Sequence, residues 1–313
     1  MGKVCFGADV GGTSVKLGLF DETGALLDKW EIPSRKEKGQ TPVLDDVAAS
    51  VLSKITEKGL NKDDVIGIGI DVPGPVLSDG TVIEAVNLYW DTVKAKNVME
   101  ELTGLKTEIA NDANAAALGE MWLGGGKGYN SICMITLGTG VGGGIILDGQ
   151  IVAGSNGAGG EIGHMLVNYD ETEKCNCGKC GCLEQYCSAT GIVRVAKRYM
   201  AANDTATKLR FIENLTAKDV LDAAKENDAV GVYVLNELGR YLAIACSHVA
   251  HVIDVQAFVV GGGVSKAGEV ILDAIKKYYP GFCMKAVKNK EFKLATLGND
   301  AGIYGCAKMV LGK

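Results

Sequence analysis

The sequence predicts an α/β chain of two domains. Three observations carry this: the length, the alternation of short apolar runs with amphipathic helical stretches, and a strand-turn-strand pattern that occurs twice. At 313 residues the chain exceeds what one hydrophobic core usually holds, and two domains divide it comfortably.

Residues 4–10, apolar but for Asp9, read as a buried strand. Gly11-Gly12-Thr13-Ser14 turns the chain into a second strand over 15–20, closed by the turn Asp21-Glu22-Thr23-Gly24. Thr41-Pro42 opens a helix with Leu44, Val47, Val51 and Ile55 at helical spacing, and Pro42 suits a first turn that needs no N–H. A strand over 65–70 runs into the rigid loop Asp71-Val72-Pro73-Gly74-Pro75-Val76. Residues 106–110 are a strand that stops at Asn111-Asp112, and 113–122 have a helical composition. The first grammar then returns: a strand over 131–137, the run Gly138-Thr139-Gly140-Val141-Gly142-Gly143-Gly144, a strand over 145–147 and the turn Asp148-Gly149. Residues 230–253 predict one long, apolar, buried helix. A strand over 257–260 leaves through Gly261-Gly262-Gly263 into a helix over 265–279, with Ile271, Leu272 and Ile275 inward. A last helix over 300–311 is expected to return to the first domain. The predicted division is 1–112 with 300–313 as a smaller α/β domain, and 113–299 as a larger one.

Forty-three glycines stand against five prolines, and they gather at strand ends. Glycine lets backbone N–H groups approach a ligand closely, which is how phosphates are commonly held. A single glycine hairpin is more often only a turn; two hairpins and a triple-glycine strand exit in one chain point to phosphate binding. The pattern is not a Walker A loop, because no Gly-Lys-Ser/Thr follows. Nor is it a dinucleotide fingerprint, because Gly11-Gly12 enters a strand.

The densest chemistry lies between Glu161-Ile162-Gly163-His164 and Cys175-Asn176-Cys177-Gly178-Lys179-Cys180-Gly181-Cys182-Leu183-Glu184. One histidine beside clustered cysteines is the mixture tetrahedral Zn²⁺ takes. Four cysteines are present where three suffice; Gly178 and Gly181 make the turns between ligands, so His164, Cys175, Cys177 and Cys182 are the expected set and Cys180 the surplus. Two disulfides in an oxidising compartment, or buried free thiols, are the plain alternatives. Glu161 and Glu184 bracket the ligands, as in a scaffold that aims carboxylates at a substrate.

Composition excludes other classes. Net charge is −6 with no basic cluster, which leaves nucleic-acid binding without a footprint. No apolar run approaches the ~18 residues of a membrane span. Met1-Gly2-Lys3-Val4 enters a strand pattern without a leader signature, so a soluble cytoplasmic protein is expected.

Taken together, Asp9-Val10-Gly11-Gly12-Thr13, the 67–75 loop, Asn111-Asp112-Ala113-Asn114-Ala115-Ala116, the 137–144 run, Glu161-Ile162-Gly163-His164 and the cysteine ribbon resemble the ROK sugar kinases, most closely their bacterial glucokinase branch. The resemblance spans almost the whole chain. It implies an actin/hexokinase-like (ribonuclease H-like) fold of two α/β domains with an interdomain cleft, and a homodimer or homotetramer. It places Asp9, Gly11, Gly12 and Thr13 in a first phosphate loop, Gly138, Thr139, Gly140 and Gly142 in a second, and Gly261, Gly262 and Gly263 on the nucleotide side. Asn87, Asn111, Asp112, Glu161, His164 and Glu184 match the sugar-binding set, and Asp112 the catalytic base. ATP, Mg²⁺ and Zn²⁺ are the implied cofactors, with Asp9 orienting hydrated Mg²⁺ and His164 serving both zinc and sugar. Two departures stand out: Tyr89 occupies a position expected to be glycine, and Cys180 is extra. The repressor branch's DNA-binding segment is not seen.

A sugar hydroxyl ionises far above pH 7, so its transfer benefits from a positioned carboxylate, and Asp112 is the candidate. The plain alternative is that Asp112 caps a helix. Glucose leads as substrate, followed by N-acetylmannosamine, N-acetylglucosamine, fructose and allose. A non-catalytic sugar sensor and an actin-like ATPase are the rival classes.

Overall fold

Residues 2–312 are described by a computed structural model of the chain. In chain order the strands and helices are β1 (Val4–Val10), β2 (Ser14–Asp21), β3 (Leu26–Pro33), α1 (Pro42–Glu57), β4 (Val65–Val72), α2 (Ala95–Thr103), β5 (Thr107–Asn111), α3 (Asp112–Leu123), β6 (Ile132–Leu137), β7 (Val141–Leu147), β8 (Gln150–Ile151), α4 (Glu184–Cys187), α5 (Ala189–Ala202), α6 (Ala217–Lys225), α7 (Ala229–Ile253), β9 (Ala257–Gly261), α8 (Glu269–Tyr278), β10 (Glu291–Leu294) and α9 (Ala301–Leu311). Two compact units result: Met1–Asn130 with Gly144–Gly160 and Leu297–Lys313, and Ser131–Gly143 with Glu161–Thr296.

The first unit is built on a sheet of order β3-β2-β1-β4-β5, with β1 antiparallel to β2 and parallel to β4. Its central strands are covered on both faces, which is why β1 and β4 are near-continuous apolar runs. Phe6, Val10, Ile68 and Ile70 share one core with Leu44, Val47 and Val51 of α1. On the other side Cys5 and Phe20 meet Ile303 and Ala307 of α9. The sequence division at residue 112 does not match this unit, because α3 stays with α9. A Cβ on Gly305 would lie 1.7 Å from the Ala115 carbonyl oxygen, so the two helices touch backbone to backbone. With α3, β8 and half of β7 added, the first unit is no longer the smaller one.

In the second unit β10, β9 and β6 run parallel. The long helix α7 is largely buried as expected: Tyr241, Leu242, Ala243, Ala245, Cys246 and Ser247 are all buried, so its middle is covered around most of its circumference, and exposure reaches 82% only at Val252 in the last turn. The single helix expected over 265–279 is two elements. Val264–Ala267 make a 3₁₀ turn, Gly268 takes φ +88°, and α8 starts afresh at Glu269.

Candidate functional site

In the first unit, the predicted residues collect at the ends of β1, β4 and β5. The Gly11–Ser14 turn closes with a 3.0 Å hydrogen bond from the Gly11 N–H to the Ser14 carbonyl. Asp9 precedes it; its carboxylate receives the Lys16 ammonium at 3.3 Å, and Lys16 also donates to the Asn299 carbonyl at 3.2 Å. Asn87 is exposed and lies beside Gly12, whose Cβ would stand 3.9 Å from that of Asn87. Tyr89 adopts φ +60°, ψ +30°, the left-handed conformation that favours glycine, and this is the physical reason for expecting glycine there.

Asn111 and Asp112 divide their labour in a way the sequence did not resolve. Asn111 is the N-cap of α3, its amide oxygen accepting from Ala113 N–H (3.0 Å) and Asn114 N–H (3.2 Å). Its amide nitrogen donates to the Gly74 carbonyl at 3.1 Å, tying the cap to the 73–75 loop. Asp112 is the first helical residue and is exposed. Partial desolvation, chiefly, and the Asp9 carboxylate push its carboxyl up from the ordinary value, against the Ala113 N–H, which lowers it. A third carboxyl was not singled out from sequence. Asp71, at the end of β4 and in register with Asp9, is fully buried, with one oxygen unpartnered and the other accepting from the Cys306 thiol at 3.3 Å. Burial first, then the Asp9 and Asp112 carboxylates, raise it well above the ordinary carboxyl value.

In the second unit, Gly138 N–H donates to the Gly140 carbonyl at 3.0 Å, and Ala189 N–H, opening α5, donates to the Gly138 carbonyl at 2.8 Å. Glu184 reaches this turn directly: its Oε2 accepts from Val141 N–H at 3.0 Å. A Cβ on Gly140 would come within 2.3 Å of the same oxygen, so only glycine leaves room for that carboxylate. Gly142 falls inside β7, not in the turn. Gly138, Thr139 and Gly263 line one cavity of about 510 Å³, completed by Ala217, Lys218 and Leu221 of α6. The α6 residues escaped the sequence reading, because nothing local links them to a turn some eighty residues earlier; only the Thr216/Asp219 capping box announces the helix.

The ribbon converges as expected. His164, Cys175, Cys177 and Cys182 bring ligand atoms within 4.8 Å of one another, with 3.8 Å between His164 Nδ1 and Cys175 Sγ and 3.6 Å between the sulfurs of Cys177 and Cys182. Zn–S bonds of about 2.3 Å in a tetrahedron put sulfurs roughly 3.8 Å apart, close to the spacing of Cys177 and Cys182, so the donor set is of the kind and size that suits zinc. Gly178 and Gly181 turn the chain at φ +85° and +79°. Cys180 stands aside, its thiol directed at the Thr172 carbonyl. All ten cysteines are free, and 3.6 Å between the nearest pair is far beyond a disulfide bond. With Nδ1 turned to the sulfurs, His164 Nε2 remains for another partner. Glu161 is exposed and Glu184 half-buried on either side. Among the described residues no helix is long and apolar enough to cross a membrane.

The ROK family profile matches residues 5–313. A glucokinase of Halalkalibacterium halodurans is 42% identical over 96% of this chain and 92% of its own length. Another, of Streptomyces coelicolor, is 33% identical over 97% and 96%. Among solved structures, a ROK family glucokinase from Streptomyces griseus in complex with glucose and AMPPNP matches at TM-score 0.72 and 34% identity over 98% of both chains. A ROK hexokinase from Thermus thermophilus matches at TM-score 0.80 and 28% identity over 97% and 96%.

Proposed function

Because the chain belongs to the ROK family and has its actin/hexokinase-like α/β fold, we propose that it is an ATP-dependent hexokinase that phosphorylates glucose at its 6-hydroxyl. The observation that carries this reading is Asp112: a carboxylate at the first turn of α3, left free of the capping role by Asn111. In this reading Asp112 takes the hydroxyl proton as the oxygen attacks the γ-phosphorus. Glu161, Glu184, Asn87 and the free face of His164 hold sugar hydroxyls in fixed directions, and Asn111 retains one amide hydrogen for the same purpose. The Gly11–Thr13 turn and the Gly138–Gly140 turn present backbone N–H groups to phosphates, and the 510 Å³ cavity beside Gly263 takes the nucleoside.

Asp9, a hard carboxylate donor, would orient Mg²⁺ bound with the phosphates, and the ion would supply charge neutralisation there. Zinc would be held by His164, Cys175, Cys177 and Cys182. Four protein ligands leave no open position, so its contribution is to brace the ribbon that carries Glu161 and Glu184. The purified protein is expected to contain about one zinc per chain, checked by elemental analysis. Cys180→Ser should keep that zinc, since Cys180 lies outside the ligand cluster.

The test of function is a coupled ADP assay run with ATP alone and with ATP plus each of glucose, N-acetylmannosamine, N-acetylglucosamine, fructose and allose. ADP only in the presence of sugar, with glucose giving the highest kcat/KM, is the expected result. ADP without sugar identifies an ATPase, no ADP under any condition a sensor, and a strong preference for an N-acetylated hexosamine moves the substrate while leaving the kinase. Cytoplasmic location and a homodimer or homotetramer belong to the same reading; light scattering that returns a monomer removes the latter.

A further inference from the structure

One ionic cluster has no place in the roles assigned so far. Glu171, four residues before Cys175, has a side chain only 3% exposed and no apolar reason to be buried. It is gripped from three sides. Arg194 and Arg198, one helical turn apart on α5, both donate to it, Arg198 at 2.7 and 3.1 Å. The Tyr186 hydroxyl donates at 2.6 Å. The same arginines hold Glu173, with Arg194 Nε at 3.0 Å. These donors keep the Glu171 carboxyl well below the usual carboxylate range, Arg198 contributing most.

The connections then lead to one place. Arg194 donates a further hydrogen bond to the Gln185 carbonyl at 2.8 Å. The Gln185 side chain accepts from Gly181 N–H at 2.8 Å and Cys182 N–H at 3.1 Å, and donates to the Glu173 carbonyl at 2.9 Å. Tyr186 stacks on Tyr241 with ring centroids 4.1 Å apart. Gln185 and Tyr186 directly follow Glu184. The short helix that bears Glu184 is therefore tied to the arm bearing Glu171 and Glu173 by bonds that do not pass through the metal cluster. Zinc would fix the ribbon at His164 and the cysteines, while Glu171 fixes the start of α4 on α5.

We propose that Glu171, clamped by Arg194, Arg198 and Tyr186, is a positioning residue for the Glu184 carboxylate and so sets sugar affinity. This rests on the hexokinase reading above, in which Glu184 binds sugar. A pair buried this way stabilises its surroundings only while every member is satisfied, so removing one charge loosens the arm beyond the local bond. Glu184 meets the bound sugar in ground state and transition state alike, so its displacement weakens binding more than turnover.

The test is Glu171→Gln in the zinc-loaded protein, with Arg198→Ala as a second variant because Arg198 is partly exposed and leaves Arg194 in place. Glucose KM, and glucose Kd by calorimetry, are expected to rise about tenfold for Glu171→Gln, with kcat and ATP KM within about twofold to threefold. Arg198→Ala should move glucose KM in the same direction by less, and Arg198→Lys should recover part of the loss. Zinc stays at one per chain in each. A purely structural ion pair would lower Tm and leave glucose Kd and KM of the folded protein within twofold of wild type, and that result in both variants overturns the positioning role. If the wild-type protein makes no ADP with glucose, the kinase reading fails and takes this proposal with it; turnover by wild type with unmoved glucose KM in the variants removes this proposal alone.

Discussion

The Asp112→Asn protein is expected to keep its fold, its zinc and its ATP affinity while kcat falls by roughly 10²–10⁴, the usual worth of a positioned general base. Geometry makes the substitution clean. Asp112 Oδ1 accepts from Ala113 N–H at 2.8 Å, and an asparagine oxygen can do the same. The cap of α3 is Asn111, so replacing Asp112 withdraws no capping bond. The helix-dipole attraction lost with the negative charge, about 0.3–1 kcal/mol, is offset by relief of the desolvation and Asp9 repulsion that raise this carboxyl. Sugar affinity should weaken only modestly, since the amide still contacts the hydroxyl it can no longer deprotonate. The pH dependence supplies a second check. A base works only when ionised, and the Asp112 carboxyl is raised above its ordinary 3.8 by desolvation and by Asp9. Activity should therefore rise with pH through a limb lying above that value, and the limb should vanish from the residual activity of the variant. Retention of more than about a tenth of wild-type kcat, well short of the loss expected for a general base, rejects the catalytic role.

How far the sequence reached depends on the range over which each feature is encoded. β1, β2, β4, α1 and both glycine turns were legible because strand burial, turn glycines and a proline-opened helix are local signals. β3 was missed because it is half-exposed: Asp28, Lys29 and Glu31 interrupt its apolar positions, as an edge strand requires. The Asn111/Asp112 choice was illegible for a different reason. Asparagine and aspartate cap helices about equally well, so only the backbone decides which of two neighbours is the cap. Asp71 needed more still. Its pairing with Asp9 follows from parallel register between strands about sixty residues apart, which no window of sequence displays. The ribbon lies at the other extreme: the four side chains that cluster fall inside some twenty residues, and spacing with two turn glycines was enough to set Cys180 apart from them.

That short-range encoding makes Cys177→Ser the second large effect. Cys177 is the exposed cysteine of the cluster, whereas Cys175 and Cys182 are buried, so serine at 177 leaves no cavity and costs little by itself. Zinc holds a serine hydroxyl far less well than a thiolate, and a structural site with three good ligands loses most of its affinity. The expected outcome, if the proposed zinc braces this ribbon, is protein with well under one zinc per chain and glucose KM raised at least about a hundredfold. Glu161, His164 and Glu184 then lose their common anchor together, whereas α6 and the nucleotide cavity are built from other segments and ATP affinity should survive. Cys180→Ser is the matched control: same ribbon, same substitution, a sulfur outside the cluster, and wild-type zinc and glucose KM expected. Equal zinc content in the two variants would show that Cys177 is not a ligand. Loss of zinc from Cys177→Ser with glucose KM unchanged would show that the metal does not brace the sugar carboxylates, and Glu184 would then owe its position to α5 and the Gly138–Gly140 turn alone.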